Sequence, residues 1–385
     1  MAAAAITSAF SFGMVLTLLG NIKLALARRL DIGEARIGGL LSALNLALIP
    51  MMVICGAWVD EYSVKTILNI GCLLTALGIF GLTLGNNYSS AVSALVFMGL
   101  GSAGLGTASI VLMPKGFWPD QVVASLNLGN VFFALGALIM PALTDFLLER
   151  LEFRRTLGIL SLMCLVPAVV ALFLDFPPPA EPGNPAEIIH SEYLWLGALV
   201  FLLYAPLEFL IATWTTTFLS ELGFTQRRGA WLLSGFWLAF LAGRLGMALA
   251  LHRRPSWEHW AAWFPFPLAV ATSVVLSNLG GATNRTRAAL GLLLLGGLMG
   301  PISPTLLGVV FTSHNMPENG RGTSYGILFA VGSLSSLILA PLAGAYARKR
   351  SVHAAFRLLA PLALVLVCAA LLLGLQSGIA FSVKR

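Results

Sequence analysis

Apolar stretches about twenty residues long, the length needed to cross a bilayer as a helix, alternate with short polar breaks along the whole chain. Twelve stretches qualify: 7–27, 37–58, 66–84, 92–114, 124–148, 157–174, 193–219, 229–251, 261–279, 287–312, 323–347 and 354–379. The breaks are short and hold most of the charges, as from Arg28 to Arg36 and from Arg348 to Arg350. The first stretch is too long, and too weakly charged at its start, for a cleaved signal peptide. One break differs. Asp175 to Glu192 reads DFPPPAEPGNPAEIIHSE, acidic and with five prolines, a composition that resists helix formation and cannot bury a core. It divides the chain into residues 1–174, a linker 175–192 taken as cytoplasmic, and residues 193–385. The pattern predicts an all-α membrane protein of twelve transmembrane helices in two pseudo-symmetric six-helix bundles.

Weak self-similarity supports a duplication. Leu40-Leu41-Ser42 recurs as Leu232-Leu233-Ser234, an offset of 192 that sets Asp60 against His252, both just past the ends of their helices. Pro141 matches Pro341 at an offset of 200. Six spans, a linker and six more is the organisation of a duplicated secondary transporter.

Composition narrows the classes further. The 385 residues are 58% apolar and 10% charged, with mean hydropathy +0.89, against about 25% charged in soluble domains. That excludes a cytosolic enzyme and a secreted disulfide scaffold. The net charge of +7 is scattered over short loops rather than gathered into a stripe, which excludes a nucleic-acid partner. Cys55, Cys72, Cys164 and Cys368 lie inside apolar runs without a CxxC and read as small buried hydrophobes.

Gly56-Ala57-Trp58-Val59-Asp60-Glu61-Tyr62-Ser63-Val64-Lys65, between the second and third spans, resembles the GxxxDRxGRR loop motif of the major facilitator superfamily, with Glu61 in place of the family's Arg. The resemblance implies a gating role for Gly56, Asp60, Lys65 and the Gly243-Arg244 pair. Tyr204-Ala205-Pro206-Leu207-Glu208, Ser234-Gly235-Phe236-Trp237 and Gly300-Pro301-Ile302-Ser303-Pro304-Thr305 are similar to stretches of the fucose/glucose symporter branch. That similarity implies alternating access and a monosaccharide cargo. Some branch members couple to protons through acidic residues in spans one and four, and neither span has one here.

The family topology puts both termini in the cytoplasm. On it, 7 Lys and Arg of loops and tails face inward and 14 outward, the reverse of the positive-inside rule. The family topology is retained because several motif positions agree with it together.

Charges within hydrocarbon cost several kcal/mol unless paired or hydrated. Only Lys23, Glu208 and Arg244 lie well inside the spans. Lys23 and Glu208 sit at matching depths in spans one and seven, which predicts that they face each other across a central cavity, with Glu208 the coupling residue. Asn21, Asn45, Asn127 and Asn130 supply amides that both donate and accept, and Tyr204, Trp214 and Trp237 supply aromatic faces; together with Lys23 and Glu208 they form the candidate substrate site for a polyol-like solute. Trp257, Trp260 and Trp263 read as an interfacial belt. HExxH, GxxxxGK[ST], GxSxG and Cys/His clusters are missing, so the chain reads as a non-enzyme with no cofactor and no metal. The expectation is a secondary transporter of a small polar solute, most simply a monosaccharide, using a proton or sodium ion, monomeric and multi-pass in a cell membrane such as a bacterial inner membrane. The alternatives are an exporter of amphipathic compounds on the same fold and a non-transporting receptor or scaffold.

Overall fold

The computed structural model describes residues 1–176, 185–281, 284–313, 320–349 and 352–382, which are helical almost throughout. The helices are α1 (Ala2–Leu30), α2 (Glu34–Glu61), α3 (Val64–Leu84), α4 (Tyr88–Gly116), α5 (Val122–Arg150), α6 (Phe153–Met163), α7 (Val166–Leu172), α8 (Pro185–His190), α9 (Glu192–Glu221), α10 (Gln226–Arg253), a 3₁₀ helix (Pro255–Trp263), α11 (Pro265–Gly280), α12 (Arg285–Met299), α13 (Ile302–Thr312), α14 (Arg321–Lys349) and α15 (Val352–Ser382). Eleven segments are long and apolar enough to cross a membrane, and a bent pair makes twelve. They correspond to the twelve stretches read from the sequence.

Three of the twelve are broken, each beside proline. Pro167 and Pro301 lack the N–H that would continue the helix, and their rings crowd the carbonyl four residues back. The sixth span is therefore α6 plus α7, and the tenth is α12 plus α13, with its break at Gly300-Pro301. The ninth bends by 57° between the 3₁₀ helix and α11, next to Pro265. Trp257 and Trp260 on that 3₁₀ helix are exposed. The described end of the acidic linker is not extended. Pro185 opens α8, a position where a missing N–H costs nothing, and Ile188 is buried. Residues 177–184 of the linker lie outside the described residues. Cys55, Cys72 and Cys164 are buried as expected, while Cys368 is exposed: a helix flanked by lipid need not turn every apolar residue inward.

Two compact units divide the chain. The first comprises Met1–Asp120, Gly129–Ile188 and Pro317–Ile327; the second comprises Gln121–Leu128, Ile189–Met316 and Leu328–Arg385. Thus α5 starts in the second unit and continues in the first, whereas α14 starts in the first and continues in the second. In the first unit α4 is the centre, buried almost continuously from Gly101 to Pro114. A Cβ on Gly101 would strike the backbone N and the hydroxyl of Thr75 on α3. Small residues permit that approach, and close backbone packing is what holds membrane helices together. In the second unit the corresponding contact is α10 against the break in the tenth span, where a Cβ on Gly300 would strike the Phe240 carbonyl.

Candidate functional site

The break at Gly300-Pro301 creates the most charged centre of the second unit. In an unbroken helix the Gly300 carbonyl would accept from residue 304, but Pro304 has no N–H to give. Arg244 on α10 supplies the missing donor: its Nε donates to the Gly300 carbonyl at 3.0 Å and its Nη2 to the Ser303 hydroxyl at 3.4 Å. The guanidinium also lies over the Phe240 ring, 4.5 Å from its centroid, and Phe240 meets Trp237 edge to face at 5.3 Å. Arg244 is 3% exposed. The Tyr204 hydroxyl on α9 donates to the Met299 carbonyl at 3.0 Å and stands within hydrogen-bonding reach of the Glu208 carboxylate. One hydroxyl proton serves one acceptor at a time, so Tyr204 can exchange Met299 for Glu208. Glu208, half-buried one turn along α9, has Arg244 as its electrostatic partner. Its counter-charge is therefore inside its own unit, and relief of its desolvation does not require Lys23. Sequence reasoning assigned Arg244 to the gating motif and overlooked Ser303 and Phe240 here.

Two carboxylates hold the first turns of the helices that begin in one unit and continue in the other. In the first unit, Asp60 accepts from the backbone N–H groups of Gly322 (2.8 Å) and Thr323 (2.7 Å) and from the Thr323 hydroxyl (2.7 Å) at the start of α14. This is an N-cap, which satisfies helix-start donors and sets an anion at the positive end of the helix dipole. Gly56 permits the approach, because a Cβ there would overlap the Gly322 backbone. Lys115 adds a favourable charge to Asp60. Lys65 is engaged elsewhere: its ammonium donates to the Leu174 carbonyl at 3.1 Å, where the linker begins, and lies 5.6 Å from the Phe176 ring. In the second unit, Glu258 of the 3₁₀ helix accepts from the Ala124 N–H at 2.8 Å at the start of α5. His252 Nδ1 lies 2.8 Å from Gln121 Oε1 beside it. The offset that set Asp60 against His252 thus matches two residues that both hold a helix start, but the carboxylate in the second unit is Glu258, which the offset did not reach.

The amides divide by environment. Asn127 is fully buried, and its Nδ2 donates to the Val123 carbonyl and to the Thr305 hydroxyl, both at 3.0 Å, while its Oδ1 has no partner. Asn21 has a buried Nδ2 with no partner. Asn45 turns its Nδ2 back to the Leu41 carbonyl of its own helix at 2.9 Å, and Asn130 lies 3.9 Å from the Met113 sulfur. Lys23 is exposed on α1. Trp214 and Trp237 are half-buried on α9 and α10.

Twelve spans, three broken at proline, and charged centres inside the membrane-spanning helices define a polytopic α-helical membrane protein of the transporter type. The chain belongs to the Major Facilitator Superfamily, whose sequence profile matches residues 1–338. No curated protein matches it by sequence. Among solved structures it is similar to the Escherichia coli fucose:proton symporter FucP in the outward conformation, with a TM-score of 0.77 at 18% identity over 96% of this chain and 98% of that one. It is similar to the human organic anion transporter MFSD10, with 0.73 at 16% identity over 95% and 97%. The proton:xylose symporter XylE bound to 6-bromo-6-deoxy-D-glucose gives 0.72 at 11% identity over 96% and 93%. At these identities the likeness is one of fold.

Proposed function

We propose that the protein is a secondary active transporter that moves a small polar solute, a monosaccharide before other classes, by alternating access, with Glu208 as the proton-responsive group. The observation that carries the proposal is the Tyr204–Glu208–Arg244 centre at the break of the tenth span. A carboxylate inside a membrane helix is retained at a cost, and here it has a cationic partner and a hydroxyl able to change acceptor. Protonating Glu208 removes its hold on both, so its charge state can be read out in the helix that Arg244 and Tyr204 grip at Gly300 and Met299. Unsatisfied amide atoms on Asn21 and Asn127 and the rings of Trp214 and Trp237 support a solute with several hydroxyls. Two of the similar structures are sugar:proton symporters by name. The protein is taken as a monomer in a cell membrane, the bacterial inner membrane first.

The test is a thermal-shift screen of purified protein over sugars, nucleosides and organic ions, because a ligand that binds only the folded state raises its stability. The stabilising solute is then followed into proteoliposomes. Glu208→Gln should abolish proton-driven accumulation and leave counterflow intact. Unchanged pH dependence and affinity in that variant would reject the coupling role. A second reading, export of amphipathic compounds, is favoured by the exposed Lys23 ammonium, which suits an anionic head. Stabilisation by organic anions with no response to sugars would select it. Protein that moves no solute in either direction would point to a receptor or scaffold.

A further inference from the structure

Between α3 and α6, within the first unit, runs an open groove of ≈ 560 Å³ whose walls are apolar except at one end. Leu73 to Phe80 of α3 form one side and Arg155 to Leu165 of α6 the other. Ser161 ties the walls together by donating to the Ala76 carbonyl at 2.8 Å. Ten residues of helix from Arg155 to Leu165 rise about 15 Å. That is half of the roughly 30 Å hydrocarbon core, the depth of one leaflet. At Gly158 the floor stands open, since a Cβ there would meet nothing within 4 Å.

The end of the groove is cationic. Arg155 lines it, with Arg154 beside it; both are exposed, and neither has an ion pair or hydrogen bond among the described residues. Arg29 reaches the same helix start, 5.2 Å from the Phe153 ring. Glu152, the N-cap of α6, makes no side-chain cap bond. Three guanidinium groups against one adjacent carboxylate leave a net positive site, and the positive end of a helix dipole adds to it. A groove one leaflet deep, apolar along its length and cationic at its mouth, matches the charge and polarity of a single class of molecule in a bilayer.

We propose that this groove binds an anionic phospholipid, its phosphate on Arg155 and one acyl chain along α3 and α6. The phosphate accepts from the guanidinium in a charge-assisted contact, and the chain covers the apolar walls that α3 and α6 leave open.

The experiment uses the full-length protein in detergent, titrated separately with phosphatidylglycerol and phosphatidylcholine, with retained lipid counted by native mass spectrometry. Wild type should retain phosphatidylglycerol in preference to phosphatidylcholine. Arg155→Ala should weaken phosphatidylglycerol retention about tenfold, the effect of losing one charge-assisted contact. Gly158→Leu keeps both arginines and fills the groove, so it should weaken retention comparably while leaving the melting temperature at the wild-type value. Equal retention of the two lipids by wild type, or wild-type phosphatidylglycerol retention in either variant, would overturn the proposal. So would displacement of the lipid by inorganic phosphate with no dependence on residue 158, because the site would then bind the ion and not the chain.

Discussion

Arg244 carries more interactions than any other embedded charge: two hydrogen bonds, a ring face and the Glu208 carboxylate meet at one guanidinium. Removing one member of a buried ion pair costs about 3–5 kcal/mol, because the other is left uncompensated. Arg244→Ala should therefore lower the unfolding midpoint in detergent strongly. Adding Glu208→Gln in the same chain should recover part of the loss; a double variant no more stable than the single would show that the two charges are not coupled. Asp60 has a smaller task. Loss of its cap bonds in Asp60→Ala should cost about 1–2 kcal/mol, and Asp60→Asn, which keeps an acceptor oxygen, should cost less by the same measurement. That Glu208 and Lys23 are embedded was legible in the sequence, but the partner of Glu208 was not read. A signal existed. Counted from the turn at Leu222–Thr225, Glu208 lies about fifteen residues back along α9 and Arg244 about twenty forward along α10, a difference in depth of about 7 Å, which a long arginine spans.

At the scale of helices, the span count was legible because a bilayer imposes a length, and proline marked where spans break. Which helix each loop residue holds was not legible. Lys65 sits five residues after Asp60, yet the two serve different elements: Asp60 caps α14, and Lys65 donates to the carbonyl of Leu174, the residue before the linker. Glu258 and Ala124 are 134 residues apart, and no local pattern relates them. The linker also bears on this scale. Replacing most of residues 175–192 by a Gly/Ser segment of equal length should leave transport of the solute found in the thermal-shift screen near the wild-type rate, because α8 is one short helix and Lys65 holds only the residue before the segment. A large loss of transport from protein that still inserts and melts normally would show that the linker does more than connect.

For the whole molecule, composition alone settled the class, since 10% charged residues cannot clothe a soluble protein of this length. Orientation is a different matter, because the 7 to 14 distribution of Lys and Arg opposes the family topology. The family topology predicts that a reporter active only in the cytoplasm is active when fused to the C-terminus; an inactive fusion beside an active periplasmic reporter would reverse the assignment. The shared helices α5 and α14 bear on the order of manufacture. A ribosome delivers residues in sequence, so the first unit is missing Pro317–Ile327 until more than four-fifths of the chain has been made, and the Asp60 carboxylate waits all that time for the N–H groups it will cap. Chains with such long-delayed contacts are exposed to proteolysis while they wait. A fragment of residues 1–188 expressed alone should therefore be degraded quickly, and co-expression of residues 189–385 should prolong its lifetime. In biosynthesis, the half that is made first is finished last.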